Sequence, residues 1–170
     1  MNVCWSLVIA LLSQGGFLQA QGPVTQRNWM THPSIVRIRE VVHAVDAHKK
    51  SLVARRDSAD CDDGRIHLTA TLFEDSLGTP RKYNIVGGSD DSAGEVTYYY
   101  DSRGVVRFAF AITNAINGTR REDRAYYDSA GVQFFKVSRL LAGPGYPGGF
   151  DTEPVRDATA DFKALCGRAS

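Results

Sequence analysis

The sequence predicts an α+β fold, in which an N-terminal amphipathic helix and a short C-terminal helix pack on one face of an antiparallel β-meander of about six strands. Three observations indicate this fold. Apolar residues recur at helical spacing before residue 53 and alternate with polar residues from Ile66 onward. One four-residue turn motif occurs three times between the alternating segments. A stretch rich in glycine and proline then precedes a short amphipathic C-terminal segment.

The first 20 residues are predicted to be a secretory signal peptide. Their apolar segment, Val3 to Leu12, is shorter than the roughly 20 residues that cross a bilayer as a helix, and Ala20 precedes a polar segment. We therefore expect cleavage after Ala20 and a secreted or periplasmic protein without a membrane span. A buried N-terminal helix or strand is the alternative. Residues 21–30 are predicted to be a flexible arm, and residues 31–170 a single α+β domain.

The first helix is predicted to begin near Pro33, with Thr31 or Ser34 as its N-cap. The apolar residues Ile35, Ile38, Val42, Val45 and Leu52 recur at helical spacing. Charged residues occupy the other faces, so the helix must cover an apolar surface.

Alternating apolar and polar residues predict the strands. In the segment from Ile66 to Phe73, every second residue is apolar, and these residues would share one face of a strand. This alternation is typical of a half-buried strand. Five further strand-like segments follow: 82–86, 95–100, 105–113, 120–127 and 132–137.

The turns between these strands share the pattern D-S-x-G, at residues 75–78, 101–104 and 128–131. An aromatic residue stands two positions before each Asp: Phe73, Tyr99 and Tyr126. Asp and Ser accept hydrogen bonds from backbone N–H groups in a type I turn, and Gly adopts the positive φ that closes a hairpin. Three such turns in series predict three similar hairpins.

The segments Tyr98 to Val105 and Tyr126 to Val132 carry these turns between tyrosine-rich strands. Across residues 73–137, the chain resembles the Y-D type hairpin repeats of bacterial exported and surface proteins. Such repeats are scaffolds, so the resemblance implies a hairpin geometry and no active residues.

The C-terminal region is predicted to be a loop, residues 140–150, followed by a helix capped by Asp151 or Thr152. Removal of Cys4 with the signal peptide leaves Cys61 and Cys166, which predict one disulfide in an oxidising compartment. A catalytic or metal-binding thiol pair is the alternative, but no His or second Cys stands at ligand spacing.

We expect no catalytic residue, metal or cofactor. The acidic cluster at residues 57–63 fails as an EF-hand, because Ala59 and Cys61 stand where two ligands belong. His43 and His48 diverge around the predicted helix, and no serine lies in a nucleophile elbow. The 20 basic and 19 acidic side chains indicate no nucleic-acid partner.

The predicted function is a non-catalytic binding module, of an inhibitor or immunity type, that recognises a protein or cell-envelope component. Its predicted binding residues are Tyr99, Arg107, Arg124 and Tyr126 on an open sheet face, with Tyr146 in the loop. Tyr and Arg are enriched at protein interfaces. Tyrosines also favour strands for structural reasons alone.

The alternative function is a small-molecule-binding protein or enzyme whose concave sheet encloses a pocket. Its candidate lining is Tyr98, Tyr100, Phe108 and Phe110, with His67 as a titratable group. The sequon Asn117-Gly118-Thr119 is a glycan acceptor or simply an Asn-Gly turn.

Overall fold

A computed structural model describes residues 22–148 and 150–168. The predicted signal peptide, residues 1–20, lies outside the described residues. Within the described part of the chain, no helix is long and apolar enough to cross a membrane.

The fold is dominated by one seven-stranded antiparallel sheet whose strands follow one another in chain order. Helix α1, Pro33–Ala47, and a 3-10 turn, Lys49–Ser51, precede the sheet, and helix α2, Ala158–Lys163, and a 3-10 turn, Leu165–Arg168, follow it. The strands are β1 Val53–Cys61, β2 Ile66–Glu74, β3 Pro80–Gly88, β4 Ser92–Tyr100, β5 Val106–Ala115, β6 Arg120–Tyr127 and β7 Gln133–Ala142.

Strand β1 was not expected from the sequence, and it brings the number of strands from about six to seven. Its residues, VARRDSADC, include four charged side chains and show no sustained alternation. β1 lies at the edge of the sheet, where charged side chains reach water and a regular buried face is not needed. It pairs along its whole length with β2, from Val53 opposite Glu74 to Cys61 opposite Ile66.

The three D-S-x-G turns have the same hydrogen bonds and close the three predicted hairpins, but in the described hydrogen bonds the Asp side chains are the acceptors and the Ser side chains are not. In each turn one Asp oxygen accepts from the backbone N–H groups two and four residues later; for Asp101 these are Arg103 at 2.9 Å and Val105 at 3.1 Å. The glycines have positive φ values of 78°, 75° and 73°. Conformations with positive φ favour glycine, so the motif is explained by backbone geometry.

Helix α1 begins at Pro33, as predicted, but both helices have N-caps other than the predicted ones. His32 caps α1, because its ring Nδ1 accepts from the Ser34 N–H at 3.2 Å. Asp157 caps α2, accepting from the Ala160 N–H at 2.9 Å. The chain from Asp151 to Asp157 is not helical, because Glu153 precedes a proline and is disfavoured in helical backbone.

The prediction that both helices pack on one face of the sheet is wrong. In β4, the hydroxyls of Tyr98 and Tyr100 donate to backbone carbonyls of the C-terminal segment. The intervening Tyr99 donates to the carboxylate of Asp46 in α1, at 3.1 Å. Successive strand residues point to opposite faces, so α1 and the C-terminal segment cover opposite faces. The sheet can accept two layers because the strands carry aromatic side chains on both faces.

We call residues 150–168 the tail, the face beneath them the tail face, and the opposite face the helix face. On the helix face, α1 crosses a row of residues that pair from strand to strand: Phe73, Lys82, Tyr99, Phe108, Tyr126 and Phe135. Three of these are the aromatic residues of the D-S-x-G repeat. The aromatic residues of the repeat therefore form part of the surface on which α1 packs.

The predicted disulfide between Cys61 and Cys166 is present. It joins the end of β1 to the last turn of the tail. Residues 22–30, part of the predicted flexible arm, contribute Val24 and Trp29 to the cluster beneath α1. The Trp29 ring lies 6.1 Å from that of Tyr126.

Candidate functional site

The tail face is filled at the end of the sheet that carries the D-S-x-G turns, which we call the turn end. Tyr83, Tyr98, Tyr100 and Tyr127 are all fully buried there. The hydroxyls of Tyr98, Tyr100 and Tyr127 donate to the carbonyls of Asp151, Val155 and Thr152 respectively. These bonds hold the tail against the sheet, and the rings fill the space beneath it.

The opposite end of the tail face, which we call the cavity end, has a floor with few side chains. Leu68, Gly87, Gly94 and Thr113 pair in register across four strands. A Cβ at Gly87 would lie 2.2 Å from the His67 carbonyl oxygen, and one at Gly94 would lie 2.1 Å from that of Ile112. The close approach of neighbouring backbones thus requires glycine. The same glycines leave open space above the sheet.

A cavity of about 640 Å³ occupies this space between the sheet and the tail. Polar and apolar groups contribute about equally to its wall. Its lining includes Leu68, Ile85, Gly87, Ser92, Thr113, Phe150, Asp151 and Asp161. Small-molecule sites in proteins commonly have this volume.

Thr113 is the polar residue that most clearly suits a ligand. It is 2 % exposed, and its hydroxyl oxygen has no hydrogen-bond partner among the described residues. A buried hydroxyl without a partner costs about 1 to 3 kcal/mol. The oxygen is itself buried in this structure, so a ligand group would bond to it and recover that free energy only after the Thr113 side chain turns toward the cavity.

A second cleft, of about 530 Å³, lies on the helix face between α1 and the sheet. Trp29, Arg39, Phe108, Arg124 and Tyr126 contribute to its lining. The Arg124 guanidinium pairs with Glu122 at 2.8 Å and lies 5.4 Å from the Phe110 ring centre. Arg124 is therefore already held by its neighbours.

The structure does not bring the predicted binding residues together. Tyr99 and Tyr126 are 8 % and 2 % exposed, because α1 lies over them. Arg107 donates to the Asp101 carboxylate and to the Tyr127 carbonyl, so its guanidinium is already held at the turn end. Of this set, Arg124 and Tyr126 line the helix-face cleft, although Tyr126 is nearly inaccessible.

Tyr146, the fifth predicted residue, lies at the cavity end of the sheet. Its hydroxyl donates to the Asp91 carboxylate, and its carbonyl accepts from Arg121 at 3.3 Å. The hydrogen bond between the Tyr146 hydroxyl and the Asp91 carboxylate raises the pKa of Tyr146 and lowers the pKa of Asp91. The residue fastens the loop after β7 to the β3–β4 turn.

The alternative pocket predicted from the sequence is also divided between faces. Tyr98 and Tyr100 lie on the tail face, whereas Phe108 and Phe110 lie on the helix face. His67 bonds to Asp60 at 2.7 Å and does not line the cavity. The signal that sequence reasoning missed was the set of glycines inside strands, since Gly87, Gly88 and Gly94 mark a close backbone approach or an open space.

No group of three side chains suited to a metal ion occurs within residues 22–148 and 150–168. Comparisons with family models, curated proteins and solved structures found no match to this chain.

Proposed function

We propose that this chain is an exported, non-catalytic protein that binds a small amphipathic molecule in the cavity of the tail face. The observation that carries the proposal is the 640 Å³ cavity between the sheet and the tail, with glycines in its floor and Thr113 among its lining residues. The small-molecule alternative is thereby favoured over recognition of a macromolecule by Tyr99 and Tyr126, which α1 covers.

The lining indicates the chemistry of the ligand. Leu68, Ile85 and Phe150 offer apolar surface for part of its body. Asp151 contributes a carboxylate, and no basic side chain is among the described lining residues. A negative charge would be repelled, so the expected ligand is neutral or cationic and carries a group that bonds to Thr113.

Export is supported by the disulfide, which is typical of oxidising compartments, together with the signal-like N-terminal segment. Secretion or periplasmic location is accordingly part of the proposal. The disulfide also joins the tail, which forms one wall of the cavity, to β1.

The experiment is a fluorescence titration with N-phenyl-1-naphthylamine, a neutral amphipathic probe. We expect saturable binding at one site, weakened about tenfold or more by Ser92→Trp, which places a ring in the cavity. The matched control is Ser102→Trp, in an exposed turn at the other end of the sheet. Equal affinity in both variants, or no saturable binding, would contradict the proposal.

The helix-face cleft is the second candidate, favoured by the aromatic and arginine side chains that line it. It fits a macromolecular partner, such as a protein or cell-envelope component, because Trp, Tyr and Arg are enriched at protein interfaces. Arg124→Ala distinguishes the two sites. Loss of probe binding in Arg124→Ala, with retention in Ser92→Trp, would move the site to the helix face.

A further inference from the structure

The helix-face cleft differs from the cavity of the tail face in the charges of its lining. Arg39 of α1 and Arg124 of β6 contribute to the cleft, whereas no basic side chain is among the described residues that line the cavity. Asp46 is the one acidic residue in the described part of the cleft lining. The charge of the cleft therefore depends on how these three side chains are paired.

Asp46 and Arg124 are each compensated by a neighbour outside the lining. The Asp46 carboxylate accepts from the Lys82 ammonium at 2.7 Å and from the Tyr99 hydroxyl at 3.1 Å. The Arg124 guanidinium pairs with the Glu122 carboxylate at 2.8 Å. Neither Lys82 nor Glu122 lines the cleft, so both pairs close within the protein.

Arg39 is the cation that keeps its charge uncompensated. None of the salt bridges among residues 22–148 and 150–168 includes it. Its Nη1 donates to the Met30 carbonyl oxygen at 2.7 Å, and its guanidinium lies 5.3 Å from the centre of the Trp29 ring. These contacts position the group without neutralising it. A guanidinium has five N–H donors, so donors remain for a further acceptor.

Aromatic rings and a second guanidinium surround the place where such an acceptor would lie. Arg124 and Tyr126 are alternate residues of β6 and share the helix face. Burial raises the pKa of the Tyr126 hydroxyl, and the nearby positive charges of Arg39 and Arg124 act against this rise. The rings of Trp29 and Phe108 lie 6.1 Å and 5.0 Å from that of Tyr126. The cleft thus combines positive charge with aromatic surface.

We propose that the helix-face cleft binds a small aromatic anion, with its oxyanion group on Arg39 and its rings against Trp29 and Tyr126. The planar fork of a guanidinium matches two oxygens of a carboxylate or sulfonate. A volume of about 530 Å³ lies in the range of small-molecule sites. The cleft and the cavity lie on opposite faces of the sheet, so either site can exist without the other.

The probe is 8-anilinonaphthalene-1-sulfonate, which is N-phenyl-1-naphthylamine with one sulfonate group added. The two dyes share their rings, so a difference between them reports the anionic group. We expect saturable binding of the sulfonate dye at one site in a fluorescence titration at about 0.15 M NaCl. Arg39→Gln should weaken this binding about tenfold or more, because charge-assisted hydrogen bonds are lost. The same variant should bind N-phenyl-1-naphthylamine as the unaltered protein does.

The matched control is Arg37→Gln, which removes the same charge from an exposed position of α1 outside the cleft. It should change the affinity for the sulfonate dye less than about twofold, since salt screens exposed charges. Arg39→Lys keeps the charge but not the planar fork, so its affinity should lie between those of the unaltered protein and Arg39→Gln. Ser92→Trp, which obstructs the cavity of the tail face, should bind the sulfonate dye normally.

Competition identifies the occupant. A small aromatic anion, 1-naphthoate, should displace the sulfonate dye, whereas poly-L-glutamate should not. Displacement by poly-L-glutamate alone would indicate an acidic polypeptide and overturn the proposal. Equal weakening in Arg37→Gln and Arg39→Gln, or no saturable binding, would also overturn it. Weakening by Ser92→Trp but not by Arg39→Gln would place the dye in the cavity of the tail face and contradict the assigned site.

Discussion

Strands β3 and β4 present two very different surfaces on the same face of the sheet. At the turn end they pair Tyr83 with Tyr98, whose ring centres lie 6.4 Å apart beneath the tail. Four residues along each strand, at the cavity end, they pair Gly87 with Gly94. The tail crosses both surfaces. Where the rings stand, the interior is filled and the tail is hydrogen-bonded, and where the glycines stand, a cavity remains.

Under the proposed function, one hairpin scaffold serves two tasks at its two ends. The turn end carries the repeated Asp turns, the tyrosine hydroxyl bonds and the aromatic row beneath α1. The cavity end has glycines, a buried hydroxyl without a partner and a tail fastened by a disulfide. We expect stability to depend mainly on the turn end and ligand binding on the cavity end.

The largest expected effect is on the free energy of unfolding when either of two leucines on the same face of β2 is replaced by alanine. Leu72 is completely buried at the turn end, whereas Leu68 borders the cavity. Leu72→Ala should lower the free energy of unfolding by about 3 to 5 kcal/mol, because it creates a new void. Leu68→Ala only enlarges an existing space, so it should cost about 2 to 3 kcal/mol. Urea denaturation of both variants measures the difference, and an equal or reversed order would break the comparison.

Removal of the disulfide should destabilise the structure at the cavity end more than at the turn end. Cys61→Ala with Cys166→Ala should lower the free energy of unfolding by about 2 to 4 kcal/mol, since the unfolded chain gains entropy. The tyrosine bonds near Asp151 and Val155 should still hold the tail at the turn end. Probe binding is therefore expected to be lost in urea before the near-UV signal of the tyrosines changes. Simultaneous loss of both signals would show that the ends do not behave separately.

Removal of two different hydroxyls on the tail face should change the stability of the fold in opposite directions. Tyr98→Phe deletes a bond to the Asp151 carbonyl and should cost about 1 kcal/mol. Thr113→Val replaces a buried hydroxyl without a partner by a methyl group, so it should leave stability unchanged or raise it by about 1 kcal/mol. The same Thr113→Val change should weaken probe binding. Thermal unfolding with and without probe checks both, and clear destabilisation by Thr113→Val would contradict the assigned role.

The smallest expected effect concerns the pH dependence of the turn end. Backbone hydrogen bonds from Thr79 and Leu77 lower the pKa of Asp75, and those from Val132 and Ala130 lower the pKa of Asp128. A carboxyl with a lowered pKa stabilises the fold fully above its unfolded pKa, near 3.8. This stabilisation is lost as the pH falls through the folded pKa.

Asp75→Asn with Asp128→Asn keeps an acceptor oxygen in each turn but removes the titration. The urea midpoint of this variant should fall less steeply below about pH 4 than that of the unaltered protein. Asp90→Asn, in the exposed β3–β4 turn, serves as the control. An unchanged acid slope in the double variant would mean that these turns do not cause the acid sensitivity.

Local signals allowed much of the fold to be predicted from the sequence. The D-S-x-G turns, the alternating strands from Ile66 onward, the helix at Pro33 and the Cys61–Cys166 disulfide all follow from short-range patterns or simple counting. Strand β1 escaped prediction because an edge strand does not need a regular apolar face. The side on which each helix packs also escaped, since Tyr98, Tyr99 and Tyr100 supply apolar surface to both faces.

The candidate site was harder to predict than the fold. The tyrosines and arginines that suggested a surface are used inside the protein: Tyr99 and Tyr126 support α1, and Arg107 fastens strand ends. The cavity exists because Gly87 and Gly94 have no side chains to fill the space above them, and glycine in a sequence does not by itself predict a cavity. One wall of the cavity is formed by the tail, which is distant from these strands in the sequence, so short-range patterns could not predict that contact.

The most direct measurement of the central claim is a map of amide chemical shifts in 15N-labelled protein titrated with N-phenyl-1-naphthylamine. The account predicts that the shifts concentrate on Gly87, Gly88, Gly94 and Thr113, whereas the amides of Tyr83 and Tyr98 change little. Shifts that concentrate on α1 and the row from Phe108 to Tyr126 would place the ligand on the helix face and contradict the account.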